Sequence, residues 1–156
     1  MKFLSIIFFL SLIAFSLNEV TVELKETQSV RMNTNANVKI IITDTVSNTQ
    51  SFKTGTFKLE STSKSITDTV TLTCNLNSAV TISNEGTDVE CTVNTEKTGS
   101  FVLSSVNTAT SDGNTSISDI RVKQNGKVLI VYATEEDLGA KFLTSFYSLI
   151  SLILFL

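Results

Sequence analysis

The sequence predicts an all-β protein, an antiparallel β-sandwich that is immunoglobulin-like in the broad sense of its architecture, with an apolar segment at each end. Two observations support this fold class. Apolar and polar residues alternate with a period of two along most of residues 19–133, as is typical of half-buried strands. Short turn-forming stretches separate these runs, and many short strands at regular spacing are typical of a sandwich. No stretch between residues 18 and 133 repeats apolar residues at helical spacing.

The clearest alternation lies in the middle of the chain. The run "TVTLTCNL" places Val70, Leu72 and Cys74 on one face and hydroxyl or amide side chains on the other. The last run, "KVLIVYA", is apolar on both faces, so we expect a central strand there. In chain order, strands are predicted over 19–24, 38–42, 56–60, 69–76, 79–83, 88–94, 100–104, 116–122 and 127–133.

Two turns connect predicted strands in a recognisable way. Asn125-Gly126 separates the last two strands, and an Asn-Gly pair favours a type I′ hairpin because both central residues need positive φ. We therefore expect those two strands to pair with each other. The stretch "NEGTD" is expected to link the strands at 79–83 and 88–94.

One segment occurs twice in similar form. "KTGTFKLES" at 53–61 returns as "KTGSFVLSS" at 97–105. A weak internal duplication would explain the similarity. A bias towards Thr, Ser and Lys in every strand would explain it equally well, and the sequence leaves both explanations open.

The two cysteines, Cys74 and Cys91, fall on the inward faces of predicted strands. In a chain that enters the secretory pathway we expect them to pair. The bond would close a loop of about 18 residues and contribute roughly 3 kcal/mol in the chain-entropy model. That spacing is too short for the sheet-to-sheet bridge of an antibody domain, and the packing Trp of such domains is missing. The alternative is two buried free thiols.

The N-terminal segment has the three regions of a secretory signal peptide. Lys2 is followed by an apolar run and then by small residues at Ala14 and Ser16. We expect a signal peptide over 1–16, cleaved after Ser16. A membrane-anchoring helix is the alternative, but the run is shorter than the roughly 20 residues that a bilayer span needs.

The C-terminal segment is typical of a GPI-attachment signal. Residues 142–156 carry no charge, and residues 135–141 form a short acidic spacer before them. Asp137 and Gly139 are a pair of small residues, so we expect attachment at Asp137, with Gly139 as second choice. Residues 17–134 are expected to form the β-sandwich domain. The alternatives for the C-terminal segment are a retained short membrane helix and a helix packed against this domain.

The charge and the residue types restrict the function. Of 12 basic residues only Lys2 and Lys141 lie outside 17–137, which leaves 10 basic against 15 acidic residues and a net charge of −5. Such a surface argues against nucleic acid as a partner. The chain has no His, so imidazole bases and imidazole metal sites are excluded. We expect no cofactor, no metal and no enzymatic activity.

Asn114 lies in the N-glycosylation motif Asn-Thr-Ser, in a predicted turn. The predicted function is a GPI-anchored coat, adhesion or ligand-binding module on the extracellular face of the plasma membrane. A membrane contact through the lipid anchor and a protein or glycan ligand at loops are the expected partners. The loops nominated for contact are 33–37, 83–87 and 108–115, because functional residues concentrate in loops. The alternative is a secreted protein, or one retained in the membrane by its C-terminal helix.

Overall fold

The computed structural model describes residues 19–45, 50–140 and 143. The predicted signal peptide, its cleavage site at Ser16 and nearly all of the apolar C-terminal run therefore lie outside the described residues. The described chain is mostly β. Its nine strands are β1 (Val20–Leu24), β2 (Gln28–Arg31), β3 (Ala36–Asp44), β4 (Ser51–Ser61), β5 (Thr69–Thr81), β6 (Thr87–Val93), β7 (Gly99–Thr110), β8 (Ile120–Val122) and β9 (Leu129–Tyr132).

All nine strands form one open, curled sheet in the order β2-β9-β7-β4-β5-β6-β3-β1-β8. Most neighbours are antiparallel, as predicted, but β1 pairs with β8 and β2 with β9 in parallel. The sheet is therefore mixed, and the prediction of a purely antiparallel sheet is wrong at its two ends. Both parallel pairs join an early strand to a late one, and local alternation carries no information on such partners.

The predicted Asn-Gly hairpin is wrong. Strand β8 pairs with β1, whereas β9 lies between β2 and β7, so the strands on either side of Asn125 do not pair with each other. Gly126 has a φ of +73°, but Asn125 is not among the residues with positive φ. The side-chain amide of Asn125 instead donates to the carbonyl oxygen of Leu24 at 2.6 Å, which turns the chain across the end of β1.

Burial explains why β9 does not sit beside β8. Leu129, Ile130 and Val131 are all fully buried, so both faces of the strand are covered. A position inside the sheet, between β2 and β7, meets this requirement, and a place at the sheet edge beside the short β8 would not. The last strand was expected to be central; it has a neighbour on each side, but it lies next to the edge strand β2.

The concave side of the curled sheet holds a single apolar core. Its largest fully buried side chains include Phe52, Phe57 and Phe101. The rings of Phe52 and Phe57 stack with their centroids 6.2 Å apart. Gly55 lies against both rings, and a Cβ at this position would come within 2.9 Å of Phe52. The small residue is therefore required for the aromatic packing.

The two strands predicted over 69–76 and 79–83 are one strand, β5. Its pairing with β4 jumps from Val80 opposite Phe52 to Asn75 opposite Thr54. Residues 76–79 consequently have no partner in β4, and three of the four are exposed. The break in alternation reflects this bulge and not a turn. Strand β2 was not predicted, because its four residues contain only one apolar side chain, Val30.

The repeated segment occupies two neighbouring antiparallel strands, β4 and β7. Leu59 in the first copy corresponds to Leu103 in the second, and the two residues lie directly opposite each other. The register is symmetric about this pair only as far as Ser61 opposite Phe101, because a bulge between Lys58 and Leu59 shifts it on the other side. Both copies also bury their phenylalanine, Phe57 and Phe101. This arrangement is compatible with a duplication, which stays a prediction.

Side-chain hydrogen bonds tie distant parts of the sheet together. Gln28 of β2 both accepts from the backbone nitrogen of Lys39 at 2.7 Å and donates to its carbonyl oxygen at 2.9 Å. Gln28 thereby bonds to β3 just beyond the end of β1, where the backbone nitrogen of Lys25 also donates to the Lys39 carbonyl oxygen at 3.1 Å. On the other side, the amide of Gln124 donates to the carbonyl oxygen of Leu103 at 2.6 Å.

A short helix over 135–140 follows the sheet, where the sequence predicts an acidic spacer. Thr134 caps its first turn by accepting from the backbone nitrogen of Asp137 at 3.2 Å. The Asp137 carboxylate accepts in turn from the backbone nitrogen of Ala133 at 3.0 Å. Within the described residues, no helix combines the length and the apolar character that a membrane crossing requires.

Candidate ligand-contact loops

The sheet has two ends, which we name by the course of the chain. Strand β9 runs antiparallel to β7 with Val131 opposite Gly99, so the chain leaves the sheet beside the first residue of β7. We call this the exit end. From there β7 runs for 12 residues to Thr110, roughly 36 Å of extended strand before its curvature is considered. The loop after Thr110 therefore lies at the other end, which we call the far end.

Two of the three nominated loops lie at the far end. Ser51 pairs with Thr81, just before the 83–87 turn, and its hydroxyl donates to the carbonyl oxygen of Ser111 at 3.4 Å. The 33–37 loop is at the exit end instead, because the backbone nitrogen of Met32 donates to the carbonyl oxygen of Tyr132 at 2.9 Å. Some residues that were nominated as loop belong to strands: 36–37 to β3, 87 to β6 and 108–110 to β7.

The 83–87 turn is fixed by its own side chains. The backbone nitrogen of Ser83 donates to the Thr87 hydroxyl at 2.9 Å, and the Ser83 hydroxyl donates to the carbonyl oxygen of Gly86 at 3.0 Å. Gly86 has a φ of +99°, and a Cβ there would lie 2.7 Å from the Cγ2 atom of Ile41. The turn is thus held in one conformation before any ligand binds.

Asp112 organises the second far-end loop. Its Oδ1 atom accepts from the backbone nitrogens of Asn114 at 2.8 Å and Thr115 at 2.6 Å, and its Oδ2 atom accepts from the Thr115 hydroxyl at 3.0 Å. These bonds favour the carboxylate form, chiefly through the backbone of Thr115 and then that of Asn114, and lower the pKa of Asp112 to about 2. The loop therefore carries a fixed negative charge beside the exposed Asn114.

The disulfide predicted from the sequence is confirmed. Cys74 of β5 and Cys91 of β6 are bonded, with their Cα atoms 4.2 Å apart. Thr73 opposite Thr92 is the one register pair that β5 and β6 share in the described chain, and the cysteines lie next to it. A Cα separation near 4.5 Å is typical of directly opposite residues that exchange no backbone bonds. The disulfide thus reinforces the part of the sheet with the fewest ladder bonds.

A row of hydroxyl groups crosses the outer face at this same position. Thr108 of β7, Thr56 of β4, Thr73 of β5 and Thr92 of β6 lie in register across four strands. The hydroxyls of Thr56 and Thr108 are 2.7 Å apart, and that of Thr92 donates to the carbonyl oxygen of Thr73 at 3.1 Å. The alternation predicts that Thr56, Thr73 and Thr92 point outward, whereas Thr108 was nominated as part of a loop. The row itself depends on register and could not be predicted.

A shallow groove of about 370 Å³ opens beside this row, where β5 and β6 diverge. Asn94 donates to Asn35 across it at 2.8 Å. Its other polar lining residues are Thr71, Thr73 and Thr92. The groove offers hydroxyl and amide groups but no charge.

Some charges on the described surface form ion pairs with each other. Ion pairs join Lys25 to Asp88, and Lys97 to Asp68 at 3.2 Å. The fully buried Asp44 also has a partner. Over residues 19–45 and 50–140, no three acidic or cysteine side chains come together as a possible metal site.

Comparison with known proteins yields no relative. No protein-family model, curated protein or solved structure matches this chain.

Proposed function

We propose that this chain is a non-catalytic, GPI-anchored protein of the extracellular surface, which serves as a coat, adhesion or ligand-binding module. In this proposal the two halves of the curled sheet act as the layers of a sandwich, joined by the disulfide between Cys74 and Cys91. Its contacts would be made by the two far-end loops, 83–87 and 111–116. The conclusion depends most on one observation, the position of these loops at the opposite end of the sheet from the chain exit.

The position of the loops matters because the proposed anchor would lie just beyond the exit. After Tyr132 only a short helix separates the sheet from the apolar C-terminal run. An anchor placed there would hold the exit end against the membrane and direct the far end outward. Both far-end loops are braced by internal hydrogen bonds, so little ordering entropy would be lost when a partner binds.

The disulfide supports the proposed extracellular location. Disulfides persist in oxidising surroundings and are rare in the cytosol, so a bonded pair agrees with passage through the secretory pathway. The bond joins β5 and β6, which share one register pair in the described chain. It is therefore a structural disulfide, because it holds together two strands that few ladder hydrogen bonds connect.

Asp137 remains the first choice for the attachment residue and Gly139 the second. The carboxylate of Asp137 accepts a hydrogen bond from the backbone nitrogen of Ala133, so cleavage at this site would first require the helix to open. Gly139 is exposed and has open space around it. The mass of the C-terminal peptide of the mature protein distinguishes the two sites.

The alternative is that the C-terminal segment, including the helix over 135–140, is kept. A chain that retained this helix could be secreted as a soluble protein, or it could be held at the membrane by the apolar run after the helix.

Phospholipase C treatment of intact cells tests the proposal. The cells would express the full chain with an epitope inserted after Ser16. Release of the epitope by the enzyme, together with loss of the C-terminal peptide from the mass spectrum, is the expected result. A matched control replaces the residues after Gly139 with a transmembrane helix, which the enzyme should not release.

Two results would count against the anchor. Protein that remains on the cells and still contains residues 142–156 would favour a retained helix. Protein that appears in the medium without the enzyme would favour a secreted form.

A further inference from the structure

Asn114 stands out among the exposed polar residues of the far end. It begins the motif Asn114-Thr115-Ser116, which is the acceptor sequence for N-linked glycosylation and occurs once in the chain. The residue is exposed, and so are its neighbours Gly113 and Thr115. A motif on an exposed loop meets the first requirement for carrying an oligosaccharide in the folded state.

The loop leaves the side chain of Asn114 available. The hydrogen bond that Asn114 makes in the described loop uses its backbone nitrogen, which donates to Asp112. Other bonds of the loop run between Ser111, Asp112 and Thr115, and the backbone nitrogen of Gly113 donates to the Thr110 hydroxyl at 3.1 Å. The side-chain amide of Asn114 therefore takes no part in holding the loop together, and a substituent on it would break no bond of the fold.

Space around the loop is also sufficient. Gly113 has a φ of +101°, and a Cβ placed on it would have no atom within 4 Å. On the other side, the backbone nitrogen of Ile117 donates to the carbonyl oxygen of Ala109 at 2.9 Å, which closes the loop against the end of β7. The loop thus projects from a firmly bonded base into open solvent.

We infer that Asn114 carries an N-linked oligosaccharide in the mature protein. In this modification the amide nitrogen of Asn114 forms a bond to the anomeric carbon of a lipid-pyrophosphate-linked oligosaccharide. The bond from that carbon to the pyrophosphate breaks, the lipid pyrophosphate leaves with the bonding electrons, and the amide gives up one proton to a base of the transferase. The donor and the transferase belong to the secretory pathway, so the inference rests on the extracellular location proposed above.

The glycan would change what the far end presents. A partner approaching that end would meet carbohydrate beside the loop of Asp112 and bare peptide at the 83–87 turn. The inference therefore deepens the proposed function, because it assigns protein contact chiefly to the turn.

Expression of the full chain in a eukaryotic cell, followed by peptide-N-glycosidase F, tests the inference. The wild-type chain should lose the mass of one glycan, and the enzyme should convert Asn114 to Asp in the peptide spectrum. Asn114→Gln and Ser116→Ala should each abolish the shift. Thr115→Val should keep it, because the middle residue of the motif is not recognised.

A control variant tests the glycosylation of Asn114 separately from the proposed extracellular location. Ala79→Thr creates a second acceptor at Asn77, which is exposed in the bulge of β5. One glycan on the wild type and two on Ala79→Thr support the inference. A glycan on Ala79→Thr but none on the wild type overturns it and leaves the location intact. No glycan on either chain overturns both.

Discussion

Among the glycines of the two far-end loops, Gly86 is the one at which an added Cβ should destabilise the fold most. It combines a positive φ with a close approach to Ile41, so it faces two separate penalties when substituted. Gly113 has nearly the same φ but open space around it, and it therefore measures the backbone penalty alone.

We expect Gly86→Ala to lower the free energy of unfolding by about 2–4 kcal/mol and Gly113→Ala by about 1 kcal/mol, since strained backbone costs of order 1–3 kcal/mol and steric overlap adds to it. Urea denaturation with an unchanged m-value measures both changes. Equal losses in the two variants would show that Ile41 simply moves aside.

A second prediction for a single residue concerns Asp112 and the pH dependence of its loop. Its pKa is about 2 in the folded protein against an ordinary 3.8, so the folded state favours the carboxylate. The stabilisation of the loop is therefore fully present above pH 3.8 and is lost as the pH falls through about 2. The backbone amide signals of Asn114 and Thr115 in NMR spectra should titrate with a midpoint near pH 2.

Asp112→Asn serves as the control, because it keeps an accepting oxygen but cannot titrate. A midpoint near 3.8 in the wild type would mean that the loop does not hold the carboxylate in solution. Asp112 was not nominated individually from the sequence. An Asp two residues before an Asn in a turn is a common pattern, and only its bonds to Asn114 and Thr115 distinguish it.

At the scale of elements, alternation located most strands but not their partners. Strand β3 was expected over 38–42 and extends to Ala36–Asp44, which is an error of length only. The Asn125-Gly126 turn was a larger error, because local turn preference was outweighed by the need to bury both faces of β9. The bulge in β5 was mistaken for a turn, because a bulge and a turn both interrupt the alternation of apolar and polar residues around Asn77.

The disulfide allows a prediction about β5 and β6. Reduction of the wild type should lower the free energy of unfolding by roughly 3 kcal/mol, given the sequence separation of 17 between Cys74 and Cys91. Hydrogen exchange should increase most at Thr73 and Thr92 and least at Leu59, which lies in the long ladder between β4 and β7.

The double variant Cys74→Ala with Cys91→Ala is the control for this measurement. It should show the same pattern of exchange and a somewhat greater loss of stability, because both positions are buried and the removed sulfur atoms leave a cavity. Uniform exchange over all strands after reduction would contradict a local role for the bond.

For the whole molecule, the sequence predicted the class of fold and not its topology. The order of nine strands depends on pairs far apart in the chain, such as Val20 with Ile120. The grouping of two candidate loops at one end, with the 33–37 loop at the other, follows from that topology. It could not have been found from the loops themselves.

The proposed orientation on the cell predicts unequal access to the two ends. A short epitope inserted between Asn84 and Glu85 lies at the far end, whereas one between Glu96 and Lys97 lies at the exit end. On intact cells an antibody should bind the first several-fold better, because the membrane would shield the second. The matched control is the same pair of proteins after release from the cell, for which binding should be equal. Equal binding on cells would refute the orientation.

The two parallel strand pairs also constrain how the protein is made. Gln28 pairs with Leu129 and Val20 with Ile120, which are separations of 101 and 100 residues. During synthesis, β1 and β2 emerge early and must wait for nearly the whole domain before their partners are available. A nascent chain interrupted before Leu129 would expose an unpaired β2, a template for aggregation. The sheet can therefore be completed only after the last strand has left the ribosome.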